Sequence, residues 1–403
     1  MLSIFAIHNY YRSGNPSGEN VAFEAETRLL SRNGHTVYKY TRQSDEIAGF
    51  SVVGRATLPV RAVWSRASYV DLRRRLIELR PDIAHFHNTF PLISPSAYLA
   101  CRTLGVPIAQ TLHNYRPLCL NGLFLRDGKL CEKCLPLSIS WPGILHRCYR
   151  KSLGYSSAAA GIQVAQRLSG IRKYVDLFIA PSEFLRRKYV AAGFPANKIF
   201  LKPNFAEISA PANGREREHA LFVGRLSPEK GARTLVAAWK RLPHIPLIVL
   251  GDGPQAHEIR SMAAGFGHIS FPGAVSRDEV LEYLRRARYL VLPSEVNETF
   301  PLVMVEAFAC NTPVITSPLG GPGEVIVDGR NGLLFEAGNP SDLARQAARL
   351  WSNPAHAAEL GKQARLDYEA RFTPERNYEL LLQAYSQAIA SRRMAASNGH
   401  TPG

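Results

Sequence analysis

Acidic residues are in short supply in this sequence: 33 Asp and Glu stand against 49 Lys and Arg, a formal net charge of +16 over 403 residues. That excess concentrates anionic partners near the surface, whether nucleic acid, acidic lipid or phosphorylated small molecules. Long apolar runs are missing too. A bilayer-spanning helix needs about 18 or more uninterrupted apolar residues, and the nearest stretch, 153–171, is diluted by serines, glycines, glutamines and Arg167. Residues 1–7 lack a basic leader and a small-residue cleavage site, so secretion is not expected and a cytoplasmic chain is. Aromatic residues interleaved with cations, the grip for single-stranded nucleic acid, are also absent, so nucleic acid is not an expected partner.

What remains is globular composition, 46% hydrophobic and 20% charged, in a chain too long for one ordinary core. Short β-branched runs alternate with amphipathic stretches throughout, the pattern of parallel sheets wrapped by helices, and the fold class is therefore α/β. Strands are expected at 2–7, 36–40, 82–86, 107–112 and 177–180. A second series follows at 219–223, 247–250, 269–271, 289–292, 314–316 and 333–335. The expected organisation is a first domain over 1–200 with a cysteine-bearing insert at 116–150, a linker over 201–218, and a second domain over 219–373. A long helix over 374–394 should return to the first domain, ahead of a loose tail at 395–403.

The most informative segment runs from Ser294 to Asn311. A strand ends at Pro293, a short loop follows, and a helix begins near Pro301, whose free backbone N–H groups can hold a diphosphate. Glu298 lies in the loop and Glu306 inside the helix, so the two carboxylates have different jobs. Flanked by Val305 and Ala307, the Glu306 carboxylate is costly unless it meets donors, either the hydroxyls of a ribose or a nearby arginine. Upstream, Gly224-Arg225-Leu226-Ser227-Pro228-Glu229-Lys230-Gly231 is a strand end and tight loop from which two cations emerge, Arg225 and Lys230. They are placed either to neutralise a leaving diphosphate or simply to face solvent. Gly251-Asp252-Gly253-Pro254 and Gly320-Gly321 repeat the strand-then-glycine theme, which permits close approach of a ligand. No Asp-any-Asp pair follows a strand, so no built-in clamp for a divalent cation is visible and no cofactor is expected for catalysis.

These segments, in this order, resemble the retaining nucleotide-sugar glycosyltransferases of family 4, also called group 1. Glu298 and Glu306, separated by seven residues, match that family's signature, as do Gly224-Arg225 with Lys230, Gly251-Asp252-Gly253-Pro254, and Gly332-Leu333-Leu334. The resemblance implies a GT-B fold, two Rossmann-like domains facing across a cleft with the donor held mainly by the second. It implies a nucleotide-diphosphate sugar as donor and a saccharide or lipid-linked saccharide as acceptor, in polysaccharide or glycolipid synthesis. By position, Arg225 and Lys230 would bind the diphosphate, Glu306 the ribose and Glu298 the sugar hydroxyls, with Phe300, Pro301 and Leu302 lining the loop over the phosphates and Gly224 and Gly251 approaching the donor. In the first domain Gly18 falls at the family's glycine turn, with Gly14 a second position to weigh. His113, at a strand end, matches the histidine that contacts the transferring sugar. Retention would proceed without a protein nucleophile, the leaving phosphate oxygen helping to deprotonate the acceptor.

His85 and His87 alternate in strand fashion and, with Asn88, are expected to line the acceptor side, plain core packing being the alternative. Cys119, Cys131, Cys134 and Cys148 fall in the insert. The two-residue gap between the central pair suits a structural zinc better than disulfides, although the flanking gaps of eleven and thirteen residues are loose. The segment 154–171, flanked by Arg147, Arg150, Lys151, Arg172 and Lys173, is an expected contact with anionic membrane at the inner face of the cell, ordinary surface packing being the alternative. Two other classes share these features: a GT-B nucleotide-sugar epimerase, and a noncatalytic protein binding nucleic acid or another anion.

Overall fold

The structure, a computed structural model, describes residues 1–11, 13, 17–168, 170–208 and 217–397. It divides into two compact units. The first comprises Met1–Phe124, Glu132–Lys202 and Asn377–Gly403; the second comprises Leu125–Cys131 and Pro203–Arg376. Gly14 and 398–403 lie outside the described residues.

The first unit holds β1 (Ser3–Tyr10), β2 (Thr36–Gln43), β3 (Ile83–Phe86) and β4 (Ile108–Thr111). A small antiparallel hairpin, β5 (Leu125–Arg126) and β6 (Lys129–Leu130), follows in the chain and belongs to the second unit; the first resumes with β7 (Leu177–Ala180) and β8 (Ile199–Leu201). The six-stranded sheet is parallel, in the order β2-β1-β3-β4-β7-β8. Strand direction of build reverses between β1 and β3, the place where open α/β sheets leave a crevice at their carboxyl ends. The register of Ile7 with Phe86 brings His8 beside His87 at those ends. β1 runs three residues beyond the expected strand, and 199–201, read from sequence as the approach to a linker, forms the edge strand.

The second unit repeats the plan with β9 (His219–Val223), β10 (Leu247–Leu250), β11 (Ile269–Gly273), β12 (Ala287–Leu292), β13 (Val314–Thr316) and β14 (Gly332–Leu334). The order is β11-β10-β9-β12-β13-β14, again parallel, with the reversal between β9 and β12. Runs such as Leu247-Ile248-Val249-Leu250 are apolar on both faces because helices cover both faces of a parallel sheet. One face packs on Leu235, Trp239, Leu343 and Leu360, the other on Met304, Phe308, Tyr368 and Phe372. Among the described residues, no helix is long and apolar enough to cross a membrane.

The final helix, Pro374–Ser397, reaches three residues past the expected end, and its Leu381, Ala384, Tyr385 and Ala388 pack on Ile4, Ile83, Ala109 and Ile179 of the first sheet. The chain thus finishes the core that it started. Leu381→Ala should destabilise the first unit by about 2–5 kcal/mol, read as a lower urea midpoint; an unchanged midpoint would mean that this helix adds nothing to that core.

Candidate functional site

At the reversal point of the second sheet, the loop after β9 and the loop after β12 are stitched together. The Glu295 amide donates to the carbonyl of Glu229 at 2.9 Å, and Thr234 Oγ1 donates to Glu295 Oε1 at 2.6 Å. Between them lies the central pair. Lys230 Nζ sits 2.5 Å from Glu298 Oε1, which also accepts from Ser294 Oγ at 2.7 Å. Burial pushes the Glu298 carboxyl upward, but Lys230 and Ser294 outweigh it and hold the group below the ordinary carboxylate range. Lys230, Ser294, Glu298, Pro301 and Ser317 line one small cavity of about 30 Å³. Arg225, on the same loop, is exposed.

The helix Leu302–Ala309 follows, with Pro301 as its N-cap and no side chain capping it. Its first N–H groups therefore remain available to an anion. Pro301 and Leu302 stay partly exposed at this helix start, whereas Phe300 is buried against Phe372, with ring centroids 5.7 Å apart. Of the three residues expected to line this loop, Phe300 thus turns its ring into the core, and Pro301 and Leu302 stay at the surface. Glu306 meets Arg277 Nη2 at 3.1 Å, the arginine partner that its apolar setting calls for. Burial raises the Glu306 carboxyl more than Arg277 lowers it.

The glycines also let neighbouring loops approach each other. A Cβ on Gly251, whose φ is +131°, would fall 2.0 Å from the carbonyl oxygen of Gly224. One on Gly320, at φ +71°, would fall 2.2 Å from that of Glu298. Their missing side chains let the loops touch one another. Gly224 instead faces the Phe222 ring, 3.3 Å from its would-be Cβ.

In the first unit, Gly18 is the exposed first residue of the helix Gly18–Arg32, which Ser17 caps by accepting from the Glu19 amide. His87 and His113 meet at the carboxyl ends of the strands, Nδ1 to Nε2, 3.0 Å apart. Behind them is a buried charge pair that sequence reasoning missed. Lys202 Nζ lies 2.6 Å from Glu26 Oε1, and Glu26 Oε2 lies 3.7 Å from His87 Nε2. The signal was present: Ala22, Glu26, Leu29 and Leu30 share one helix face, so a carboxylate occupies an apolar stripe. His85 separates from His87. It is 1% exposed and bonded to Thr111 Oγ1 at 2.8 Å and Tyr385 OH at 2.9 Å, which corrects its expected acceptor-side place to the core. Asn88 borders the same cavity as His87 and His113, but its side chain serves its own turn, donating to the carbonyl of Asn9 and accepting from the Phe90 amide.

Burial lowers His113 and His8 to about 4, and puts His85 and His87 well below their ordinary value. All four rings are neutral near pH 7, each with one donor and one acceptor nitrogen.

Of the insert cysteines, Cys119, Cys134 and Cys148 belong to the first unit and Cys131 to the second. Among the described residues, the groups of three or more ligating atoms within 4.8 Å of one another reduce to Glu26, His85 and His87. Cys119 Sγ donates to Asn121 Oδ1 at 3.0 Å, and burial raises its thiol. The Glu26 set does not suit a metal: an ammonium already faces the carboxylate, and both nitrogens of His85 are engaged by hydroxyls.

Lys202→Met should leave Glu26 buried and unpaired, at a cost of about 3–5 kcal/mol in urea unfolding, and adding Glu26→Gln should recover part of it. Because the folded pKa values of His113 and His8 lie below the unfolded value of about 6.5, the unfolded state binds more protons between pH 6.5 and 4. Stability should therefore be full above 6.5 and fall as pH drops through that window; a flat urea midpoint from pH 7 to 4 would contradict it.

With this geometry in place, likeness to known proteins is informative. The model of Glycosyltransferase Family 4 matches residues 17–209, and that of Glycosyl transferases group 1 matches residues 205–367. The chain is 30% identical to a D-inositol 3-phosphate glycosyltransferase of Arthrobacter sp. (strain FB24), over 97% of this chain and 95% of that protein. It is 35% identical to an uncharacterized glycosyltransferase of Methanocaldococcus jannaschii over a shorter span, 41% of this chain and 46% of the other. Among solved structures, Anabaena HepE in complex with UDP and glucose superposes with a TM-score of 0.68 at 16% identity, over 96% of this chain and all of the other, 100%. Two parallel sheets, a last helix on the first of them and these matches together make the chain a GT-B protein of the family 4, group 1 glycosyltransferases.

Proposed function

We propose that the protein moves a hexosyl group, with retention of configuration, from a nucleoside-diphosphate sugar held by the second unit to a saccharide or lipid-linked saccharide received by the first. The carrying observation is the Lys230–Glu298 pair beside the uncapped start of the helix Leu302–Ala309. Anabaena HepE, bound to UDP and glucose, supports a donor of this class.

In this reading the bond from the sugar carbon to the diphosphate oxygen breaks, and negative charge grows on the leaving group. Lys230, Arg225 and the helix N–H groups stabilise that charge without having to reorganise. The new bond forms to the acceptor oxygen on the same face, and its proton passes to the departing phosphate oxygen. Glu298, kept ionised by Lys230 and Ser294, accepts from the sugar hydroxyls. Glu306 accepts from the ribose, exchanging part of its contact with Arg277. His113, neutral, exchanges a hydrogen bond with the transferring sugar, its Nε2 already engaged by His87. Since protein cations carry the diphosphate charge, catalysis needs no divalent metal.

The insert supports a place at the inner face of the cell membrane, in polysaccharide or glycolipid synthesis. Trp141, Leu145, Leu153, Tyr155 and Leu168 are exposed on and around the helix Leu153–Leu168, with Arg147, Arg150 and Lys151 exposed nearby. Apolar groups that enter an interface, rimmed by cations that attract anionic headgroups, are the pattern of a peripheral contact.

Lys230→Ala should lower turnover on the order of 10²–10³-fold, measured as nucleoside diphosphate release, and EDTA should leave the wild-type rate unchanged. If Lys230→Ala and Glu298→Gln both turn over donor normally, these roles fail; strict magnesium dependence would refute the metal-free reading. Liposome flotation should increase with acidic lipid and weaken in Trp141→Ser/Leu145→Ser.

A further inference from the structure

The cavity that His87 and His113 border does not stop at the strand ends. It extends, at about 150 Å³, under the insert, and its wall includes Arg116, Arg167 and Arg172 but, among the described residues, no aspartate or glutamate. Three guanidiniums stand against one carboxylate behind the wall, Glu19, which accepts from the cavity-lining Asn114 at 2.8 Å, and the arrangement keeps an excess of positive charge. No salt bridge joins any of the three to an acidic residue among the described residues.

The individual contacts sharpen the point. Arg167 Nη1 donates to the carbonyls of Leu137 and Ser138, while its Nε is buried with no partner. Arg172 lies 4.1 Å from the Phe194 ring centre and donates to the carbonyl of Ala192 at 3.1 Å. Burial depresses both groups, and the like charge of Arg167 depresses Arg172 further. Arg116 rests on the rings of Tyr11 and Phe90. A guanidinium does not shed its proton in a protein, so the repulsion is relieved by an anion and not by deprotonation.

We propose that this cavity is a subsite for a phosphate-bearing acceptor, whose phosphate is held by Arg167 and Arg172, with Arg116 beside it, while the hydroxyl to be glycosylated lies toward His113. Planar guanidinium forks match phosphate oxygens in geometry as well as charge. The assignment deepens the proposed function and rests on its placing of the acceptor in the first unit. A soluble sugar phosphate and a lipid-linked saccharide phosphate share this chemistry. Tyr149 lines the cavity, and the guanidinium of its neighbour Arg150 lies over the ring of exposed Tyr155, so the subsite adjoins the apolar surface at the end of the insert.

The test uses the full chain with its donor site saturated by the nucleoside diphosphate that binds tightest. Inorganic phosphate and farnesyl phosphate are then titrated by calorimetry. Wild type should bind both, and Arg167→Gln/Arg172→Gln should lose on the order of tenfold or more. Arg167→Lys/Arg172→Lys, which keeps the charges and loses the forks, should fall between. Farnesyl phosphate binding markedly tighter than phosphate supports a lipid-linked source; equal binding supports a soluble one. Phosphate affinity unchanged in the glutamine variant, or turnover as fast with a neutral saccharide as with its phosphorylated counterpart, overturns the proposal. Nucleoside diphosphate affinity in Lys230→Ala is measured alongside. Failure there counts against the donor reading and leaves the phosphate result independent.

Discussion

The ion pair between Lys230 and Glu298 joins the two loops that flank the reversal of strand order in the second sheet. Both loops start at the carboxyl ends of adjacent parallel strands, where the fold leaves space because successive helices turn to opposite faces. The pair fixes an ammonium at the strand ends and keeps a carboxylate ionised in a buried setting. Glycines on the flanking loops pack against both, since a side chain on Gly251 would strike Gly224 and one on Gly320 would strike Glu298. Position of charge is decided by the sheet order; its constancy is decided by packing.

The first sheet uses a similar place differently. Its strand ends converge on neutral imidazoles, and the charged groups lie behind them, in the pair of Glu26 and Lys202. A neutral ring offers one donor and one acceptor, and contact between His87 and His113 ties the choice of tautomer in one to that in the other. The second unit thus places an ion pair at its strand ends, and the first places hydrogen-bonding nitrogens there, with the guanidiniums of Arg116, Arg167 and Arg172 farther along the same cavity.

Much of this could be read in the sequence because the relevant features are local. Strand-length apolar runs, the loop cations Arg225 and Lys230, and Glu298 ahead of a helix start are each contained in a few neighbouring residues. Glu26 and Lys202 are separated by 176 positions, and nothing short-range announces that they meet. His85 and His87 share one strand face, yet one is enclosed by Thr111 and Tyr385 while the other reaches the cavity, a difference set by a helix some 300 residues later. Spacing of Cys131 and Cys134 was a weaker guide still, because a two-residue gap says nothing of where Cys119 and Cys148 come to lie. Phe300 likewise sits in a donor-loop motif but packs inward on Phe372, a partner that adjacent residues do not reveal.

The last helix carries a consequence for the order in which the molecule is made. Ile4, Ile83, Ala109 and Ile179 await Leu381 and Tyr385, which the ribosome adds only after the whole second sheet. Domains usually mature from the amino end as they emerge. Here the strands of both sheets precede the closing segment, and part of the first sheet's apolar face is covered only when that segment arrives. Completion of the first unit's core therefore waits on residues made after the second unit.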